Sequence, residues 1–350
     1  MSGSANSALF ATICNTVGEA SDYTLWFTLG GRQYVTDLSG HLDEAAGLTG
    51  IAWWNGRIYL AVQSHSSRIL VLDMTLNVVE TIAVEGFNDL HSLRVQGNTL
   101  LIVSARSGCL FRRNLETGET VPHLRFEPNA WVCDVLCRPD DIWLCCHNLS
   151  YLDPSAQGGG VFSVRERRAL LDGLSGSHTL IPYRDEFVIL DSANARLVFF
   201  NLDGIRHTVQ LQGFLRGAQV SGEDTILVAG GPDRTMSRKN PQGDGARGLL
   251  QVLDERLRIF EVTRGAIVRV ILPECPGFEI YDLMALPGGA GLMPASDRVI
   301  AADQGLFARY WYTSLVTAHA RASQPDWVTT ASEPGQRDAR ASKEVRWQGL

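Results

Sequence analysis

The sequence has too few basic residues for a general nucleic-acid-binding protein. Its 350 residues include 31 Lys and Arg against 38 Asp and Glu, which leaves a formal net charge of −7. Binding to nucleic acid or to an anionic membrane surface needs a basic face that meets the phosphates, so we expect neither as a partner. The chain also lacks any apolar run near the roughly 18 residues of a membrane span, and its first residues lack the basic start of a secretory signal.

The seven cysteines include no C-x-x-C pair. Neither a zinc ribbon nor a disulfide framework is therefore predicted, and a reducing cytoplasm is the expected location. Cys133, Cys137, Cys145, Cys146 and His147 form a metal-like group by residue type alone. However, Cys145 and Cys146 are successive strand residues whose side chains point to opposite faces, so both cannot reach one ion. We interpret them as small buried apolar residues.

Short β-rich runs recur along the chain with turn residues between them and almost no helical periodicity. The best-defined run of each unit is RIYLAV (57–62), TLLIVSA (99–105), IWLCCHN (142–148), FVILDSA (187–193), ILVAGG (226–231) or RVIAAD (298–303). Aligning the units on these runs places one residue of each preceding strand in register. These lead-in residues are Thr49, His91, Cys133, His178, Arg216 and Tyr281.

The lead-in residues follow one another at intervals of 42, 42, 45, 38 and 65 residues, the last stretched by an insertion at 231–248. Units of about 40 residues with four short strands are typical of a β-propeller, and six lead-in strands predict six blades. Unassigned runs at 8–14 and 24–38 are expected to complete the last blade and close the ring. The alternative, an open pair of β-sandwiches, does not account for the even spacing.

The fold class predicted is therefore all-β, a six-bladed propeller over residues 8–303. Residues 1–7 and 324–350 are expected to be disordered, and 304–323 to form a short C-terminal helical segment. The 231–248 insertion is predicted to be a mobile loop at the channel mouth, or an ordinary surface insertion.

The lead-in position of each innermost strand faces the central channel of a propeller, and here it carries mostly polar and titratable side chains. Two positions earlier, on the same side of the strand, are Asp89, Trp131 and Glu279. Each residue alone could have a purely structural role: as a hydrogen-bonded core histidine, in a buried Arg216–Glu279 ion pair, or as an aromatic side chain that fills the channel. Their coincidence in register predicts a ligand site at the axis.

Four segments carry a family resemblance. They are NDLHSL (88–93), GLSGSHTL (173–180), GFLRGAQ (213–219) and FEIYDLMALPG (278–288). With them the chain resembles a bacterial β-propeller family known as a domain of unknown function, whose members carry D-x-H, G-L-S-x-x-H, G-F-x-R-G and E-x-[YF]-D-[LV] in this order. The resemblance covers about residues 47–290 and implies shared positions at Asp89, His91, His178, Arg216, Glu279 and Asp282. The family usually shows a His and an Asn where this chain has Trp131 and Cys133. It implies no particular activity.

The first functional hypothesis is a small-molecule enzyme of lyase, isomerase or hydrolase type. His91 and His178 would act as general base and acid, because imidazole titrates near neutrality. Glu279 or Asp89 would orient one histidine, and Arg216 would clamp an anionic substrate through its planar fork. The remaining substrate-binding candidates are Asp89, Tyr281, Trp131 and Cys133.

Two alternatives stay open. In one, the cofactor is a single divalent metal ion held by His91, His178 and Glu279 as a two-His, one-carboxylate set. In the other, the protein is a non-catalytic propeller that binds a partner protein or a glycan on one face. Its polar ring would then be structural.

Overall fold

Six antiparallel sheets are arranged around a central axis in the computed structural model, which describes residues 8–15, 22–42, 47–64, 67–231, 257–263, 265–275, 279–286 and 291–302. The protein is a six-bladed β-propeller, as the sequence predicted. Helical structure within these ranges consists of short 3-10 turns, and none of it is long or apolar enough to cross a membrane. The expected helical segment 304–323, both expected disordered ends and all but the first residue of the 231–248 insertion lie outside the described residues.

The strands follow the chain around the ring. The first three are β1 (Ala8–Cys14), β2 (Leu25–Leu29) and β3 (Arg32–Thr36). The first blade consists of β4 (Leu48–Trp54), β5 (Arg57–Val62), β6 (Ile69–Leu72) and β7 (Val78–Ile82). The second consists of β8 (Leu90–Gln96), β9 (Thr99–Ser104), β10 (Cys109–Asn114) and β11 (Thr120–Arg125).

The remaining blades have the same order. The third consists of β12 (Val132–Arg138), β13 (Asp141–Cys146), β14 (Gly159–Ser163) and β15 (Arg168–Leu174). The fourth consists of β16 (Ser177–Tyr183), β17 (Glu186–Asp191), β18 (Arg196–Asn201) and β19 (Gly204–Gln210). The fifth consists of β20 (Phe214–Val220), β21 (Thr225–Gly231), β22 (Arg258–Thr263) and β23 (Ala266–Ile271). The last two strands are β24 (Glu279–Leu286) and β25 (Val299–Ala301).

Apolar side chains fill the space between every two neighbouring blades. Six clusters of buried residues lie there, one at each contact between blades. Because side chains alternate along a strand, one strand supplies two clusters: Ile58 and Leu60 of β5 pack towards the sixth blade, and Tyr59 and Ala61 towards the second. Burial on both faces explains why the runs in the sequence are continuously apolar rather than alternating.

The sixth blade closes the ring with strands from both ends of the described chain. Its order is β24-β1-β2-β3-β25, and β1 pairs with β24 from Ala8 opposite Leu286 to Cys14 opposite Glu279. The predicted closure by N-terminal strands is confirmed. The prediction for RVIAAD was wrong in one respect: its strand β25 pairs with β3 at the outer edge, since β1 already occupies the second position in the blade.

Each innermost strand contains a β-bulge at its lead-in residue or, in β16, at the residue directly after it. The pairing register with the second strand shifts between Leu48 and Ile51 in β4, and it shifts at the matching place in the other five blades. A bulge leaves a residue outside the ladder and re-aims its side chain. The bulges therefore change the direction of the lead-in side chains relative to a regular strand.

Two glycines allow the innermost strands to approach each other at these bulges. A Cβ atom on Gly217 would lie 2.8 Å from the Cα of Asp282 and 3.1 Å from the carbonyl oxygen of Tyr281. A Cβ on Gly50 would lie 2.6 Å from the backbone nitrogen of Leu93. Both collisions involve backbone atoms, which cannot rotate away.

Gly217→Ala is therefore expected to lower the free energy of unfolding by about 3 kcal/mol, because the strands β20 and β24 must separate. Gly173→Ala is the control: its φ of +78° adds strain, but nothing lies within 4 Å of the new methyl group. That variant should lose only about 1 kcal/mol. Urea unfolding followed by fluorescence measures both, and equal losses would contradict close strand contact at Gly217.

Candidate functional site

Side chains from four different blades meet around Tyr281 at one mouth of the channel. The Cζ of Arg216 lies 4.7 Å from the centre of the Tyr281 ring. The His91 and His178 rings stand edge-on to it, with centroids at 5.5 Å and 6.2 Å. All four side chains are buried. The structure thus brings together at the axis four of the six lead-in residues that the register had marked.

His91 faces a carboxylate on one side only. Its Nε2 lies 3.5 Å from Oδ2 of Asp89, which in turn lies 3.5 Å from Nε of Arg106. Burial alone would raise the pKa of Asp89, but the charges of His91, Arg106 and Arg216 lower it to about 2. Asp89 is therefore an anion at neutral pH and can hold the orientation of the imidazole.

Asp89 and Trp131 adopt the same unusual backbone conformation two positions before their lead-in residues. Their φ angles are +55° and +51°, in the left-handed region that side chains other than glycine rarely adopt. The Trp131 ring stands edge-on to His91 at 6.0 Å, and the Cζ of Arg106 lies 6.0 Å from its centre. Trp131 thus forms a wall of the site beside His91.

Arg216 and Glu279 form a buried ion pair. Nε of Arg216 lies 2.8 Å from Oε2 of Glu279, although its N–H does not point along that line. The same oxygen accepts a hydrogen bond from Nδ2 of Asn15 at 2.9 Å, and the thiol of Cys14 donates to it at 3.8 Å. Burial would lower the pKa of Arg216, but Glu279 together with smaller contributions from Cys14, Tyr281 and Cys133 more than offsets this, and the pKa is raised.

A second histidine, His147, lies against His178. The two Nε2 atoms are 3.3 Å apart, and Nδ1 of His178 lies 2.9 Å from the carbonyl oxygen of Gly176 and 3.0 Å from Oγ of Ser192. With the thiol of Cys133, these histidines form a group whose three ligand atoms all lie within 4.8 Å of one another. Burial, with the charges of His147 and Arg216, lowers the pKa of His178.

This group differs from the metal set predicted from the sequence. Within the described residues, His178 belongs to this close group of ligand atoms, whereas His91 and Glu279 do not. His91 pairs with Asp89 and Glu279 with Arg216 instead. His147 was not among the metal ligands predicted from the sequence.

The site residues missed by sequence follow the second strands of their blades. His147 comes directly after β13, Asn15 after β1 and Ser192 after β17. An antiparallel second strand ends beside the start of the innermost strand, so its next residue reaches the same mouth. Polar residues directly after these apolar runs were the signal that could have revealed them.

Two other residues singled out in the sequence, Thr49 of the lead-in ring and Asp282, have structural roles. Thr49 is buried and donates a hydrogen bond to the carbonyl oxygen of Leu90 at 2.6 Å, which links the innermost strands β4 and β8. Asp282, implied by the family resemblance, lies in a second polar layer below the mouth. It lies 3.5 Å from Nη1 of Arg94.

Arg94 connects two buried carboxylates in this lower layer. Its Nε and Nη2 donate to Asp134 at 2.9 Å and 2.7 Å, and the backbone nitrogen of Leu180 donates to the same carboxylate at 2.8 Å. Burial raises the pKa of Asp282 to about 6; Arg94 opposes that rise and the negative charge of Asp134 adds to it. The layer ties four blades together beneath the site.

No model of a known protein family matches the chain, and a search of curated proteins finds no match. The family resemblance based on four motifs therefore stays a prediction. The chain is similar in structure to a protein of unknown function from Bacteroides caccae at 12% sequence identity, with a TM-score of 0.56, over 81% of this chain and 99% of that one. At this identity the likeness shows the fold alone.

Two further solved structures are more distant. A chain of the nidogen/laminin complex matches at 9% identity and a TM-score of 0.49, over 80% of this chain and 98% of that one. Virginiamycin B lyase from Staphylococcus aureus, in an inactive variant with quinupristin, matches at 10% identity and a TM-score of 0.46, over 67% and 73%.

Asp282→Asn is expected to flatten the pH dependence of stability between about pH 4 and pH 6. The folded pKa of about 6 lies above the ordinary value of 3.8, so the folded protein keeps a proton that the unfolded chain releases. At low pH this proton stabilises the folded protein by roughly 3 kcal/mol. That stabilisation is lost as the pH rises through about 6. Urea unfolding across this range measures the slope. The control Asp297→Asn, at an exposed position, should leave the slope of stability against pH unchanged. If Asp282→Asn also leaves this slope unaltered, Asp282 is not its cause.

Proposed function

We propose that the channel mouth is the active site of a small-molecule enzyme of lyase, isomerase or hydrolase type, with His91 as its general base. One observation carries this proposal. Nδ1 of His91 and Oη of Tyr281 are buried and have no hydrogen-bond partner among the described residues. An unsatisfied buried polar atom costs about 1–3 kcal/mol, so two of them on touching rings favour a place for a ligand.

The groups around His91 determine which of its two ring nitrogens carries the proton. A carboxylate only accepts hydrogen bonds, so the Nε2 that faces Asp89 carries the proton in the neutral ring. Nδ1 then keeps its lone pair and can take a proton from a substrate. Asp89 fixes this tautomer and stabilises the imidazolium that forms, as the carboxylate of a catalytic triad does.

Tyr281 supplies a hydrogen-bond donor beside this base. Burial raises the pKa of its phenol, so the hydroxyl remains protonated. A donor at this place would stabilise negative charge that develops on a substrate oxygen when His91 removes a proton. His178 is less suited to the acid–base role predicted for it, because its Nδ1 lies against Gly176 and its Nε2 against His147.

The charges at the mouth favour an uncharged polar substrate. The anionic ligand predicted from the sequence required Arg216 to offer its charge, but Arg216 is paired with Glu279. Arg106, the second arginine at this mouth, lies beside Asp89. An added anion would have to displace a carboxylate, whereas a hydroxyl or carbonyl oxygen needs only the Tyr281 donor.

A partner-binding propeller is the second candidate function. The observation in its favour is the outermost strand of the fifth blade, where Ile267, Val268 and Val270 are 43%, 56% and 43% exposed. Substitution of these side chains by Ser would abolish partner binding and leave small-molecule binding unchanged. Substitutions at the mouth would have the opposite effect.

Tyr281→Phe is expected to keep or increase the stability of the ligand-free protein, by up to about 2 kcal/mol, because it removes an unsatisfied buried hydroxyl. Tyr183→Phe is the matched control, since the Tyr183 hydroxyl donates to the carbonyl oxygen of Asp224 at 3.0 Å. That variant should lose about 1 kcal/mol. A comparable loss in Tyr281→Phe, measured by urea unfolding, would show that its hydroxyl serves the fold.

A thermal-shift screen with uncharged hydroxy and keto metabolites tests the function itself. Compounds that stabilise the wild-type protein should stabilise Tyr281→Phe and His91→Gln less, and turnover of a substrate found this way should fall by about 10²–10⁴-fold in His91→Gln. His123→Gln changes a histidine on β11, outside the mouth, and serves as the control. Equal stabilisation and turnover in His91→Gln would overturn the proposal.

A further inference from the structure

Three side chains with metal-binding atoms meet beside the acid–base pair at the same mouth. Cys133 and His178 are buried and His147 is half-buried. Their thiol and imidazole groups are the soft and borderline ligands that Zn²⁺ prefers in proteins. We propose that Cys133, His147 and His178 bind one Zn²⁺ ion. This inference goes beyond the proposed function and does not depend on His91 acting as a base.

The separation of the two histidines fits a tetrahedral ion. Two Zn–N bonds of about 2.0–2.1 Å at the tetrahedral angle place their nitrogens about 3.3 Å apart. The Nε2 atoms of His147 and His178 are 3.3 Å apart. The sulfur of Cys133 lies within 4.8 Å of a ring nitrogen of each histidine. The site therefore needs at most a small movement of the thiol to close around an ion.

His178 is in the tautomer that metal binding requires. A carbonyl oxygen only accepts hydrogen bonds, so Nδ1 of His178, 2.9 Å from the carbonyl of Gly176, carries the proton. Its Nε2, which lies 3.3 Å from Nε2 of His147, then keeps a free lone pair for a metal ion. A backbone carbonyl that holds the far nitrogen is the usual support of a metal-binding histidine, and Ser192 adds a second contact there.

The ligands are fixed by rigid elements of the fold. Cys133 is the bulged residue of β12, His178 lies in β16, and His147 directly follows β13. Three protein ligands leave the fourth tetrahedral position to water or to an oxygen of a bound molecule, as in catalytic zinc sites. A simple hydrogen bond between the two imidazoles would explain their distance as well, but it would not involve Cys133. The role of the thiol therefore distinguishes the two.

The experiment uses the full-length protein, stripped with a chelator and reloaded with Zn²⁺ or with Co²⁺ as its coloured substitute. Elemental analysis should find about one Zn²⁺ per chain, and Co²⁺ should give the intense charge-transfer band of a cobalt–thiolate bond and the visible bands of a tetrahedral ion. Absence of stoichiometric binding, or a cobalt spectrum without a thiolate band, would overturn the proposal. This measurement on the wild-type protein does not depend on the folding of any variant.

Variants then assign the ligands. Cys133→Ser should remove the thiolate band, and His147→Gln should weaken Zn²⁺ binding by more than about tenfold. Cys137→Ser, on the same strand, and His123→Gln are the matched controls and should bind as the wild type does. Unchanged stoichiometry and affinity in both Cys133→Ser and His147→Gln would refute the site. Because loss of His91 leaves these ligands intact, His91→Gln should still bind Zn²⁺ even if the proposed acid–base function fails.

Discussion

The pairing of β1 with β24 is the contact on which the rest of the structure depends. It joins residues that are about 270 positions apart along the chain, so it brings a large loop-closure entropy cost that the packing of the whole ring offsets. Thr12 stands at the centre of this pairing. It accepts a hydrogen bond from the backbone nitrogen of Asp282 at 3.0 Å and donates to the carbonyl oxygen of Thr49 in the first blade. Without this closure, the six innermost strands would not share one axis.

Closure also determines the polar chemistry at the axis. Six strands that meet in a narrow channel bury their polar groups, and a buried polar group needs a partner. Most find one: Asp134 accepts hydrogen bonds from Ser92, Arg94 and Leu180, which belong to two other blades. Within the described residues, a few buried side-chain atoms have no hydrogen-bond partner, and Nδ1 of His91 and Oη of Tyr281 are two of them. In the proposed function, these two atoms contact the substrate.

Equivalent positions around the ring have different neighbours, which suit them to different chemistry. His91 and His178 hold the same place in the second and fourth blades, yet Asp89 stands beside one and His147 beside the other. A carboxylate neighbour favours proton transfer, whereas a second imidazole and a nearby thiol favour a metal ion. Arg216, at the same place in the fifth blade, is held by Glu279 in a buried ion pair. This is the structural ion pair that the sequence had also allowed for these two residues.

The amino-acid sequence by itself determined the propeller, its six blades and the closure by N-terminal strands, because strand length, apolar content and a repeat of about 40 residues are local properties of the chain. It also marked the lead-in residues, since a repeated unit carries equivalent positions to equivalent places. Only the tertiary structure decided which of them are partners. Cys14 meets Glu279, and His147 meets His178, through strand pairing and ring curvature that no local pattern records. Hydrogen bonds and metal ligation are sensitive to differences in distance of a few tenths of an ångström. The bulges that help to position these side chains form only when the ring is assembled.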